Sequence, residues 1–159
     1  MTPRIEEKIL ISIKQLSEFK EYLYNKKAKY LFPKRKIESL YFDNLQKQMF
    51  LDSEEGCVPR KKIRLRRYYN IKDKIYSSSK LELKISSYEG RFKKSINIDN
   101  STYRNYIKKG YLDENYGLCE PKLIVSYNRD YLQLEKVRIT IDENISYQKH
   151  NSKIFYNDE

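Results

Sequence analysis

A chain of 159 residues with no obvious linker and no internal repeat reads as one domain spanning 1–159. Lys and Arg number 33 against 22 Asp and Glu, a formal net charge of +11, so the expected partner is an anion; nucleic acid, an anionic membrane surface and polyphosphate each satisfy that condition. A single His, His150, and two cysteines outside any CxxC spacing, Cys57 and Cys119, argue against a zinc centre and a His-dependent triad. No apolar run approaches the ~20 residues that cross a bilayer. The charged start, Met1 to Lys8, does not read as a signal peptide. With both thiols read as reduced, the expected location is cytoplasmic.

In chain order, Glu6 to Ile13 alternates as a strand would, with Glu7, Ile9, Ile11 and Ile13 on one side. Leu16 to Tyr30 reads as a helix, because Leu16, Phe19 and Leu23 recur at helical spacing, and Pro33 is the expected stop. Glu38 to Asp43 is a second strand, and Gln46 to Leu51 a short helix or turn before Gly56 and Pro59. Strands follow at Lys62 to Tyr69, Lys80 to Ser86 and Arg91 to Asp99, the last two joined through Glu89-Gly90. Asn100-Ser101 signals the start of a helix that runs to Lys109 and stops at Gly110. Lys122 to Leu132 and Val137 to Tyr147 complete seven strands. Mostly strands with inserted helices predict an α+β domain built on antiparallel β.

The side chains that alternate with the apolar ones carry the chemistry. Ile63 and Leu65 oppose Lys62, Arg64 and Arg66; Leu81, Leu83 and Ile85 oppose Lys80, Glu82 and Lys84. Phe92, Ile96 and Ile98 oppose Arg91, Lys93 and Ser95, with Lys94 on the apolar side; Tyr127 and Arg129 share a face. An ordinary sheet with one buried and one solvated face is the plainer account. Yet the polar face is cationic on several strands, and like charges ~5 Å apart repel by about 3 kcal/mol at an effective dielectric of 20. A polyanion would relieve this. If the sheet curls into a barrel, the basic face becomes its lumen and the apolar face packs outward on the helices. Arg forks, mobile Lys charges and a Tyr hydroxyl would then hold a linear phosphate chain and stabilise a phosphoryl group in transfer. Glu82 or Asp142 would either hold Mg²⁺ or Mn²⁺ through oxygen or pair with neighbouring cations.

At these residues the sequence resembles the VTC domain, the polyphosphate-polymerase branch of the triphosphate tunnel metalloenzymes (CYTH-like). The resemblance rests on Arg4-Ile-Glu-Glu-Lys8, Ser39-Leu-Tyr-Phe-Asp43-Asn44, and Gly56 followed by Arg60, Lys62, Arg64, Arg66 and Tyr68. It continues in Leu81-Glu-Leu-Lys84, Tyr127-Asn-Arg129 and Val137-Arg138-Ile-Thr-Ile-Asp142, in register over almost the whole chain. It implies a tunnel fold, a partner set of ATP and polyphosphate or tripolyphosphate, and transfer of the terminal phosphate of ATP to a growing chain with Mn²⁺ or Mg²⁺. By motif position Lys8, Arg64, Arg66, Lys84, Arg129 and Arg138 would act on phosphates as the catalytic set. Arg60, Lys62, Arg91, Lys93 and Tyr127 would add phosphate-binding groups, and Glu82 is the metal-ligand candidate.

The family continues to another Glu-x-Lys strand with a metal-binding Glu and a C-terminal helix, whereas this sequence stops at Asn157-Asp-Glu159. The expectation is therefore about seven strands of eight, in a natural short form, a fragment, or half of an assembly completed by a second copy (a homo-oligomer) or an accessory subunit. Three alternatives stand beside the polymerase. One is hydrolysis of tripolyphosphate or nucleoside triphosphates, which the Glu6-Glu7-Lys8 spacing disfavours because the hydrolases carry Glu-x-Glu-x-Lys. The others are a non-catalytic polyphosphate-binding module and a nucleic-acid binder, for which no recognised motif is present.

Overall fold

A computed structural model describes residues 6–71 and 74–150, with Ser77 as backbone only. The elements are α1 (Ile13–Asn25), β1 (Lys29–Asp43), α2 (Gln48–Glu54), β2 (Arg60–Asn70), β3 (Ile75–Ser87) and β4 (Gly90–Ile98), then α3 (Asn100–Lys109), β5 (Tyr111–Asp113), β6 (Gly117–Leu134) and β7 (Val137–Lys149). The hydrogen-bonded order is β4-β3-β2-β1-β6-β5, and β7 pairs with β6. The chain forms two compact units: Met1–Pro33 with Tyr131–Thr140, and the larger Lys34–Asp130 with Ile141–Glu159.

In the larger unit the antiparallel sheet curls into a half-barrel with basic residues on its concave face. Its apolar residues lie on the other face, as the alternation predicts. Leu40 and Phe42 of β1, Ile63 and Leu65 of β2, and Leu81 and Leu83 of β3 are buried together with Met49 of α2, Tyr103 of α3, Cys119 and Ile124. Burying each large aliphatic side chain contributes about 1.5–3 kcal/mol. This core stabilises the sheet while leaving the opposite face free for polar groups.

Local chemistry fixes the helices on that core. The buried Asp43 carboxylate accepts from the backbone N–H of Met49 and Phe50 at 3.0 Å each and of Asn44 at 2.8 Å. It thereby satisfies donors that the start of α2 leaves open. Asp99 caps α3 through Thr102 N at 2.7 Å, one residue earlier than expected, and Lys108 and Lys109 lie in the last turn, where cations favour the helix dipole. Gly110 ends α3 at φ +78°, and a Cβ there would stand 2.6 Å from the Cys119 carbonyl oxygen, so no other residue fits.

Three expectations need correction. Residues 6–12 form no strand: Ser12 instead caps a helix that begins at Ile13, in a reciprocal capping box with Gln15. The helix ends at Asn25, not at Pro33, because Lys27 turns the backbone left-handed at φ 57°. Pro33 lies inside β1, which begins at Lys29 rather than Glu38. Arg4 of the opening motif lies outside the described residues.

Candidate functional site

Strand register assembles the site from single residues. Tyr41 of β1 lies opposite Arg64, Arg64 opposite Glu82 and Glu82 opposite Ser95, forming one row across four strands. Ser39, Arg66, Lys80 and Asn97 form the next row. On the other side lie Lys62, Lys84 and Lys93, each directly opposite the next, and beyond them Arg60, Ser86 and Arg91. All of these side chains share a face because the pleat has period two. Glu82 is the only carboxylate they meet in those rows.

Two arginines are held rigidly. The Arg64 residue is 6% exposed and Glu82 is 1% exposed. Arg64 donates to Glu82 Oε2 from Nε at 2.7 Å, places Nη2 at 2.6 Å from the same oxygen, and donates from Nη1 to the Tyr41 hydroxyl at 2.8 Å. Arg66 donates from Nε to Ser39 Oγ at 3.1 Å and from Nη2 to the Tyr127 hydroxyl at 3.3 Å, with Nη1 3.7 Å from Glu82 Oε2. Lys93 Nζ lies 2.7 Å from Glu82 Oε1. Burial pushes the Glu82 carboxyl up, but Lys93, Arg64 and Arg66 outweigh it and hold the group down at about 2. It is an anion at any ordinary pH.

The remaining predicted residues differ in setting. Lys62 and Lys84 are exposed, and no carboxylate of the described residues is within ion-pair range of either. Burial, Arg64, Arg66 and Lys93 all depress the Lys84 ammonium, with Glu82 opposing. Arg60 donates to the Cys57 carbonyl at 3.0 Å, and Arg91 is exposed. Arg91 and Lys93, not Lys94, share the face of Glu82, the register that alternation favours. Arg129 makes a two-pronged pair with Asp142 at 2.6 and 2.7 Å and lies over the Tyr127 ring, 5.0 Å from its centroid. Burial raises the Tyr127 phenol despite Arg66 and Arg129, so it stays protonated and can donate. Lys8 and Arg138 belong to the smaller unit. Lys8 is exposed in the segment before α1, and Arg138 lies over the Tyr131 ring at 5.8 Å.

A divalent metal would need oxygen donors. Both oxygens of Glu82 already serve cations, as do both oxygens of Asp142. Among the described residues no three His, Cys, Asp or Glu side chains gather at one point. As arranged, these carboxylates do not fit a metal and instead act as partners for Arg and Lys.

Charged residues of β2 also lie on the core side, outside the alternation reading: Lys61 pairs with the buried Asp113 at 2.6 Å. Arg67 points to the core side, between the Tyr76 and Tyr103 rings at 3.8 and 4.5 Å, and donates to Glu38 at 3.0 Å. Its signal was the consecutive pair Arg66-Arg67, which must send one guanidinium to each face.

A curled sheet whose buried face carries the helices and whose concave face is lined by Arg and Lys supports a polyphosphate- or nucleotide-binding role. The chain belongs to the VTC domain family, whose model matches residues 3–158. Membership implies nucleotide or polyphosphate binding, supports a phosphotransferase role and suggests a divalent-metal-using enzyme type. No curated protein matches the chain. No helix of the described residues is long and apolar enough to cross a membrane.

Proposed function

We propose that this chain binds ATP and polyphosphate on its basic concave face and transfers the terminal phosphate of ATP to a growing chain. In that step the bond from the β–γ bridging oxygen to the γ-phosphorus breaks, and a bond from the terminal oxygen of the acceptor chain forms. ADP leaves. The reaction needs positioning and charge stabilisation more than proton transfer, so a sequence with a single His is no obstacle. Arg64 and Arg66 supply fixed forks, Arg129 a further clamp, Lys84 neutralising charge, and Tyr127 a neutral donor.

The observation that carries the reading is the in-register row Lys62, Lys84 and Lys93. Like charges directly opposite each other destabilise a sheet. A solvated face would mix signs, whereas a phosphate chain would neutralise this one.

The test is incubation of the full chain with ATP and Mn²⁺ or Mg²⁺, which family membership makes the reasonable additions. Polymeric phosphate is the expected product, and free phosphate without polymer would identify a hydrolase. Lys62→Met with Lys84→Met removes two exposed ammonium groups and should weaken tripolyphosphate binding at least roughly ten-fold with the fold intact. Unchanged affinity would exclude this face as the site. Binding without turnover favours the second reading, a polyphosphate-binding module, which the cation-engaged Glu82 and Asp142 carboxylates support.

A further inference from the structure

The two oxygens of Glu82 serve different partners. Oε2 takes both Nε and Nη2 of Arg64, and Arg64 is also fixed from its other side by Tyr41. Oε1 takes Lys93 at 2.7 Å. The Lys93 side chain is 50% exposed, stands on the end strand of the hydrogen-bonded order, and faces Lys84 across the ladder. Its four-carbon stem swings freely, unlike the forked guanidinium. Arg64 cannot leave without stripping a buried carboxylate of its closest partner, which is strongly unfavourable. Lys93 can leave, because Arg64 and Arg66 still hold the charge of Glu82.

Resting on the phosphate-binding reading above, we propose that Glu82 is a stand-in anion. It holds Lys93 while the face is empty, and a bound phosphate chain takes Lys93 over while Arg64 stays on Glu82. The exchange swaps one charge-assisted contact for another, so the ammonium is never stranded. Glu82 is thus a positioning residue for the site, and it sets the affinity with which Lys93 meets phosphate.

A double-mutant cycle reads this exchange. Inorganic tripolyphosphate is titrated calorimetrically into the full chain, Lys93→Met, Glu82→Gln and the double variant. In the wild type a ligand must first win Lys93 from Glu82, so Lys93→Met forfeits only the difference between the two contacts. In the Glu82→Gln background it should cost more affinity, by a factor of about five. An equal or smaller loss there overturns the proposal.

A ligand-free measurement separates this idea from the functional one. Reductive methylation of Lys93, followed by mass spectrometry against the exposed Lys109 of α3 as internal reference, should speed up in Glu82→Gln. An unchanged rate overturns the holding role. Should Glu82→Gln not fold, Glu82→Asp keeps the charge but shortens the reach, and it should raise Lys93 reactivity in the same way. If wild-type protein takes up no tripolyphosphate, the functional reading fails and the exchange with it, while the labelling still decides whether Glu82 holds Lys93.

Discussion

Glu82 shows how one side chain governs a charged face. Its carboxyl is held down at about 2 from an ordinary 4.5: burial opposes ionisation, and Lys93, Arg64 and Arg66 together overcome it. A carboxyl with a depressed folded pKa contributes stability that is fully present above its unfolded value and is lost as pH falls through the folded one. The difference in unfolding free energy between wild type and Glu82→Gln should therefore be constant above about pH 5 and shrink between about 4.5 and 2. The total change is on the order of 3 kcal/mol. Denaturant titrations at stepped pH give this directly, and a flat difference would show that the three cations do not stabilise the ionised form. Arg67 makes the contrasting case: its charge sits on the core side and is matched by Glu38 and two tyrosine rings, so it belongs to packing.

Among the elements, α2 depends most on a single group. Asp43 stands at the end of β1 and bonds the N–H groups of Met49 and Phe50 in the first turn of a helix whose own N-cap, Lys47, offers no side-chain bond. Asp43→Ala should cost about 1–2 kcal/mol of stability. It should also speed hydrogen exchange at the Met49 and Phe50 amides relative to those of β2, and equal protection in both forms would refute the cap.

The motif Ser39-Leu-Tyr-Phe-Asp43 thus divides its roles. Ser39 and Tyr41 face the arginines, Leu40 and Phe42 fill the core, and Asp43 fastens a helix. The faces of β2 to β4 were legible in the sequence, because period-two alternation states which side each residue takes. Glu6 to Ile13 misled for the same reason. Alternation describes a strand only where a neighbouring strand accepts its hydrogen bonds, and the Ser12–Gln15 capping box was the stronger local signal. Pro33 misled in the opposite sense, since it lies within a strand that local rules would have delayed. Which oxygen of Glu82 meets which cation was not legible at all, because it depends on the register of three strands and on rotamers that no pattern encodes.

For the whole molecule the governing quantity is the formal charge of +11. Self-repulsion of that size opposes compaction, and salt screens it over ~10 Å at 0.1 M. Two salt effects of opposite sign should follow in one protein. The unfolding midpoint of the ligand-free chain should rise between ~0.05 and ~0.5 M salt, while tripolyphosphate affinity should fall, roughly ten-fold or more. Thermal melts and calorimetry over the same salt series check both. Affinity independent of salt would mean that binding does not run through the cations of the concave face.

The division of labour across the sheet has a consequence for how such a protein can be altered. Aliphatic and aromatic groups on one surface of β1 to β3 secure the architecture, with Arg67 and Glu38 packed among them, and the cations of the concave face project from the reverse. Selectivity is thereby uncoupled from foldability: exposed ammonium positions such as Lys62 and Lys84 can be exchanged for neutral, acidic or hydrogen-bonding side chains while every hydrophobic contact stays in place. The same template could then be retuned for a different guest by editing a handful of codons, with no redesign of its interior.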